Sequence, residues 1–247
     1  MKYKLLIIFF FTIFLSSCEK ESEEDHKETL TILNSYSIDV KEPSGLTFDN
    51  SNNVLYTVSD NTNKIYKIGL TGTVFQEYNY VGNDLEGICI NKEKNLVLVE
   101  ERRRQIVEYN TSTKESISHN IEIEENEPNS GLEGITYDSR DKTFFVLNEK
   151  SPGLLIVLDQ SFKIKAKYNL DFASDYSGIC YSAEEDLIWV VSDQSKTLTK
   201  CQKNGDMIKQ YRLNIDKVEG IAIDVKERVF YMVSDSRNQL YKIDIPK

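Results

Sequence analysis

The chain has 247 residues, 40% of them hydrophobic, with 30 basic and 40 acidic side chains and a formal charge of −10. That length can bury a substantial core in one domain of about 200 residues. The negative balance argues against nucleic acid or an anionic membrane surface as partner, because both require a basic footprint to release counterions.

Residues 1–17 read as a signal peptide. Lys2 and Lys4 open it, an apolar run extends from Leu5 to Leu15, and Leu15-Ser16-Ser17-Cys18 closes it. The run is too short to span a bilayer and suits a cleaved secretion signal. Its ending resembles a bacterial lipobox, which implies cleavage before Cys18 and lipid on that cysteine, giving membrane attachment through Cys18. An ordinary signal followed by an unrelated cysteine is the alternative. Cleavage would remove two basic residues and no acidic one, leaving the mature chain still more negative. Residues 18–29 form an acidic tether without large apolar side chains, which cannot offset the entropy of ordering. Its Ser22-Glu23-Glu24-Asp25 run resembles the signal that sends some Gram-negative lipoproteins to the outer face, and a solvated linker is the bland alternative. Together these features describe an outer membrane lipoprotein, periplasmic or cell-surface exposed.

Residues 30–247 are organised by a repeat. Glycines fall at Gly45, Gly87, Gly134, Gly178 and Gly220, at intervals of 42, 47, 44 and 42 residues. Each is followed 14 or 15 residues later by an acid: Asp60, Glu101, Glu149, Asp193 and Asp235. A period in the low forties built from short apolar runs is the signature of a radial β repeat. Each glycine opens a first strand, such as Gly87-Ile88-Cys89-Ile90, and a polar turn follows. A second run, such as Leu187-Ile188-Trp189-Val190-Val191, is β-branched and aromatic on both faces, which fits sheets stacked face to face. A third strand follows the acid (Lys64 to Ile68, Gln239 to Ile243), and a fourth is polar and alternating, as an outer edge should be (Met207 to Leu213). Four strands per repeat make one propeller blade.

The last repeat stops after its third strand, and the missing outer strand lies at the other end, between Leu30 and Ile38. Tyr36 precedes Gly45 by nine residues, as Tyr78 precedes Gly87 and Tyr211 precedes Gly220. The sequence therefore predicts an all-β, five-bladed β-propeller with four-stranded blades, its last blade closed by the N-terminal strand. Cys89 and Cys180 occupy equivalent positions in two repeats and read, with an odd total apart from Cys18, as small core residues. Trp189 reads as packing between blades.

The Glu-Gly-Ile openings at Glu86, Glu133 and Glu219, the Ser44-Gly45-Leu46 opening, and Val-Ser-Asp at Val58, Val191 and Val233 resemble the SdiA-regulated family of bacterial propeller proteins, distantly similar to NHL-repeat proteins. The resemblance implies a five-bladed propeller with a calcium site, and it supplies no reaction.

Strand alternation places the residue before each glycine and the acid after it at one mouth of the ring. Ser44, Glu86, Glu133, Ser177 and Glu219 should encircle the axis there. Carboxylates about 5 Å apart repel by roughly 3 kcal/mol per pair at an effective dielectric near 20. Protons, solvent or a bound cation must relieve that. Hard oxygen ligands without nearby His or Cys favour Ca²⁺, with Glu86, Glu133 and Glu219 as ligands and Ser44, Ser177, Glu101 and Glu149 as an outer shell. The competing arrangement turns the glutamates outward onto backbone N–H groups at each blade entry.

Asp60, Asp193 and Asp235 are expected to accept hydrogen bonds from turn N–H groups. Arg102, Arg103 and Arg104 either neutralise their acidic surroundings or bind an anionic group. No nucleophile–histidine pair suits the mouth, because His26 lies in the tether and His119 in an outer strand. The function expected is a lipid-anchored module binding a small molecule, glycan or protein at its acidic mouth. The alternative is a calcium-dependent hydrolase of an ester, lactone or phosphate, with Glu101 or Glu149 as base.

Overall fold

The computed structural model describes residues 27–123 and 131–246. The signal peptide, Cys18 and the tether up to residue 26 lie outside the described residues.

Strand β1 (Ile32–Ser37) precedes four blades of consecutive strands. The first blade is β2 (Pro43–Asp49), β3 (Val54–Ser59), β4 (Lys64–Ile68) and β5 (Val74–Glu77). The second is β6 (Leu85–Ile90), β7 (Leu96–Glu100), β8 (Gln105–Tyr109) and β9 (Ser116–Asn120). The third is β10 (Leu132–Asp138), β11 (Thr143–Asn148), β12 (Leu154–Leu158) and β13 (Ile164–Asn169). The fourth is β14 (Gly178–Ser182), β15 (Leu187–Ser192), β16 (Thr197–Cys201) and β17 (Met207–Arg212). The fifth takes β18 (Val218–Asp224), β19 (Val229–Ser234) and β20 (Gln239–Asp244), and β1 completes it.

All pairings within blades are antiparallel, as short turns between neighbouring strands require. In the closure, Ser37 lies opposite Gln239 and Ile32 opposite Ile243. Glu28 and Thr29, placed in the tether by the sequence, already dock on blade four. Arg212 N donates to Glu28 O at 2.9 Å, and Thr29 bridges Arg212.

Alternation along the second strands explains the core. Phe144 and Val146 of β11 pack towards blade two, whereas Phe145 and Leu147 pack towards blade four. Each of the five buried clusters fills one space between adjacent blades. Trp189 is 1% exposed and meets Phe230 of blade five edge-on, with ring centroids 5.0 Å apart. Cys89 and Cys180 are buried free thiols of this core.

The first strands line the axis, where the repeat glycines meet. A Cβ on Gly220 would stand 2.7 Å from Gly45 C, and one on Gly45 would stand 2.7 Å from Glu86 O. Gly45 also has φ +24°, which penalises a side chain independently. The glycine ring leaves no room for a water molecule along the axis. It separates the acidic mouth from a cavity of about 160 Å³ at the opposite mouth, walled by Phe48, Ile90, Tyr137 and Tyr181 among others. Gly220→Ala would force backbone apart, at a cost of about 3 kcal/mol. Urea unfolding should show the midpoint falling accordingly, and an unchanged midpoint would contradict this packing.

Candidate functional site

The acidic mouth is assembled by three positions of each repeat. The first is the residue three before the glycine, whose carbonyl accepts the N–H of the acid that ends the second strand. Asp60 N reaches Glu42 O at 3.1 Å, Glu101 N reaches Asp84 O at 2.9 Å, Glu149 N reaches Gly131 O at 3.1 Å, and Asp235 N reaches Lys217 O at 3.0 Å. Blade four differs: there the Asp175 side chain accepts from the Ser192 hydroxyl and from Gln194 N at 3.1 Å.

The second position is the polar residue before each acid, which ties the strand end to its neighbouring loops. Ser59 Oγ donates to Lys41 O at 2.5 Å and accepts from Thr62 N at 3.0 Å. Ser234 Oγ donates to Asp216 O at 2.7 Å. Asn148 Nδ2 donates to Pro152 O at 2.8 Å. Glu100, 1% exposed, accepts from Tyr80 Oη at 2.9 Å and Asn83 N at 3.1 Å. In Val-Ser-Asp it is thus the serine that caps the turn, at Thr62 and again at Ser195. Asp193 accepts a backbone N–H from Lys217, in the next blade's entry loop, at 2.6 Å. Asp60 faces other carboxylates instead.

The third position is the residue before the glycine. A bulge interrupts the register there in β2, β6, β10 and β18, and β14 shows no such shift. A bulge re-aims the side chains beside it. Ser44 Oγ donates to Glu86 Oε2 at 2.6 Å. Ser177, which lies just before β14, donates to Val218 O at 2.8 Å and not to a carboxylate.

The acids converge in two triads, within each of which ligand oxygens lie no more than 4.8 Å from one another. These are Asp60–Asp84–Glu86 and Glu101–Glu133–Glu149. All six residues come from the first three blades. The expected trio of Glu86, Glu133 and Glu219 is therefore divided: Glu86 and Glu133 fall in different triads and Glu219 in neither. Among the described residues no backbone N–H donates to any of these three carboxylates, so the outward-facing arrangement is not the one adopted. Gly131 N donates to Glu101 Oε1 at 3.1 Å, fixing that side chain beside Glu133.

Burial is the main force on these groups. It raises Glu133 well above the ordinary carboxylate range, reinforced by Glu86, Glu101, Glu219 and Glu149. It raises Glu86 likewise, opposed by the Ser44 hydrogen bond. Glu101 is pushed up to about 7 by burial and then by the adjacent Asp84. Asp60 is pushed up to about 6 by burial and the same Asp84. Glu219 rises to about 7 through burial and Asp193, with Lys217 opposing.

Cations stand at the rim. Arg102 Nε lies 2.7 Å from Asp84 Oδ2, Arg103 reaches Glu100 at 3.2 Å, Lys150 reaches Glu149 at 2.6 Å, and Arg237 reaches Asp216 at 3.2 Å. The arginine run thus neutralises acidic neighbours, the first of the two roles expected for it. Asp84 was not singled out by the sequence reading. It lies just before β6 with φ 59°, so strand alternation gave no signal for it.

Fold and mouth together define a five-bladed propeller with carboxylates gathered near its axis. The chain belongs to the SdiA-regulated family, which it matches over residues 22–244. Among solved structures it is similar to glutaminyl cyclase of Myxococcus xanthus, with TM-score 0.68 and 10% identity over 87% of this chain and 97% of that one. It is also similar to virginiamycin B lyase from Staphylococcus aureus, with TM-score 0.55 and 12% identity over 86% and 99%. A streptogramin B lyase gives TM-score 0.52 and 13% identity over 87% and 73%. At these identities the likeness is one of fold.

Carboxylates raised in the folded state bind protons that the unfolded chain releases at lower pH. Their contribution to stability is complete below the unfolded value near 4 and is lost as pH rises through 6 and 7. The chelated protein should therefore melt at a higher temperature at pH 5 than at pH 8. Differential scanning calorimetry with chelator would show this, and the opposite order would contradict the mouth electrostatics.

Proposed function

We propose that the protein is a lipid-anchored, extracytoplasmic binding module whose acidic mouth holds a divalent cation and presents it to a small molecule, glycan or protein. The observation that carries this reading is Glu133. Its side chain is only 9% exposed and sits between Glu101 and Glu149. Among the described residues no hydrogen-bond donor reaches its carboxylate. A buried carboxylate without a donor is costly unless it is protonated or bound to a cation. Oxygens no more than 4.8 Å apart suit one ion with Ca–O distances of about 2.4 Å.

The donor set is all carboxylate, with backbone carbonyls and the Ser44 hydroxyl nearby and no His or Cys ligand in either triad. Hard oxygen donors of this kind favour calcium over zinc or copper. Glu101, Glu133 and Glu149 would hold the ion, with Glu86 and Glu219 adding negative field. A bound ion would supply a positive centre for ligand oxygens. Attachment through Cys18 and an outer membrane location rest on the leader and lipobox-like ending, and the bulk negative charge leaves nucleic acid without a footprint.

One observation favours the hydrolase reading as a second possibility. A base must stand near a metal without ligating it, and Glu101 and Glu149 are drawn into the triad with Glu133. Glu219 stands outside both triads with its pKa raised to about 7, suited to take a proton near neutral pH. Chelator-sensitive turnover of an ester, lactone or phosphate that is lost in Glu219→Gln would establish that reading over the binding module.

Calorimetric titration of the chelated protein with Ca²⁺ tests the primary reading. Glu133→Gln should weaken binding at least about tenfold and, by removing a buried charge, raise the metal-free Tm by about 4 °C. Equal Ca²⁺ binding by wild type and variant would remove the reading.

A further inference from the structure

We infer that the mouth opposite the carboxylates is a second binding site, for an uncharged single-ring heterocycle with hydrogen-bonding groups around its edge, of the size and kind of uracil. This goes beyond the function proposed above and does not depend on it, because no water fits through the glycine level between the two mouths.

Size sets the first limit. The cavity has a volume of about 160 Å³, and its deep walls, Leu46, Ile135, Ile179 and Ile221, are no more than 4% exposed. Phe48, Ile90, Tyr137 and Ile223, two residues further along their strands, are half-buried and border the opening. A cavity of about 150 Å³ accommodates benzene, whereas most ligand pockets begin near about 300 Å³. The space suits one ring.

Charge sets the second limit. The ionisable groups of the lining are the thiols of Cys89 and Cys180 and the phenols of Tyr137 and Tyr181, and burial raises all four. The wall is therefore neutral at pH 7, on a chain that is strongly acidic overall. The buried acids that end β2, β10 and β18 are turned onto their own turns. Asp49 accepts from Ser51 N at 3.0 Å, Asp138 from Arg140 N at 2.7 Å, and Asp224 from Glu227 N at 3.1 Å. Lys203, in the turn after β16, is occupied by Asp138, Asp141 and Asp186. A charged ligand would lose its hydration here and find no counter-charge.

Polar groups set the third. Every first strand is the edge of its sheet, so unpaired backbone N–H and C=O groups face the axis. Thr136 Oγ1 already accepts one of them, Tyr181 N, at 3.1 Å, and the Tyr181 hydroxyl donates to Asp186 at 2.7 Å. Among the described residues the hydroxyls of Thr47 and Tyr137 have no hydrogen-bond partner. They stand on blades one and three, so one ligand meets both only if it is polar on two edges. A sugar carries more hydroxyls than this lining has free partners for, and each left unpaired is costly. A flat heterocycle needs fewer, and Phe48, Tyr137 and Tyr181 offer it aromatic packing.

Calorimetric titration with uracil tests this, alongside methyl NMR of isoleucine-labelled protein. One uracil should bind per chain, equally with and without chelator, and should shift the methyl signals of Ile90 and Ile223. Thr47→Val and Tyr137→Phe should each weaken it about tenfold. Orotate, which adds a carboxylate, and 1,3-dimethyluracil, which lacks both N–H donors, should bind at least about tenfold more weakly than uracil. If either variant fails to fold by far-UV circular dichroism, these matched ligands carry the test on wild type. Absence of saturable uracil binding would overturn the site. Binding that leaves Ile90 and Ile223 unshifted, or that chelator abolishes, would overturn its location. Equal affinity for orotate would overturn its neutrality, and saturable binding of methyl glucoside in place of uracil would overturn the ligand class.

Discussion

The structure depends on the contact of backbone with backbone where the five first strands meet. At Gly45 and Gly220 the nearest atoms of the adjacent first strand lie where a Cβ would otherwise be. That contact sets the radius of the ring, and the radius sets everything at the mouth. The residue before each glycine is carried inward with it, so side chains from successive blades are forced together. The ring can close this tightly because the blades bury apolar side chains between them on both faces, as Trp189 and Phe230 do between the last two blades. Hydrophobic burial thus supplies the free energy that holds like charges close.

The mouth is held by uncharged contacts as much as by ion pairs. Backbone N–H groups of Asp60, Glu101, Glu149 and Asp235 are anchored to entry-loop carbonyls, and Ser59, Ser234 and Asn148 secure the same loops with their side chains. The carboxylates add single contacts to this scaffold, such as Gly131 N to Glu101 and the Ser44 hydroxyl to Glu86, and among the described residues no donor reaches Glu133. A rigid scaffold that aims groups in this way is what a binding site requires.

The fold was legible in the sequence because its signals are local. Glycine spacing, two-faced apolar runs and polar turns each report on a few neighbouring residues, and Tyr36 supplied the closure by its offset from Gly45. The site was legible only in part. The sequence grouped Glu133 with Glu86 and Glu219 and left Glu101 and Glu149 as an outer shell, so the division into two triads was not in view. Reading the mouth as a symmetric ring hides two facts: Ser177 lies outside its strand and bonds the Val218 carbonyl, and Glu219 is flanked by Lys217. The carboxylates therefore concentrate on the side of the first three blades. Asp84 escaped notice because a lone acid ahead of a strand looks like ordinary turn chemistry until its neighbours in space are known.

The closed axis has a consequence for traffic. Since no water fits through the glycine level, anything admitted among the carboxylates must leave by the way it came. A ligand seated over the rim would then act as a stopper. Under the proposed function, ion release would wait on ligand departure, making the lifetime of one the limit on the exchange of the other.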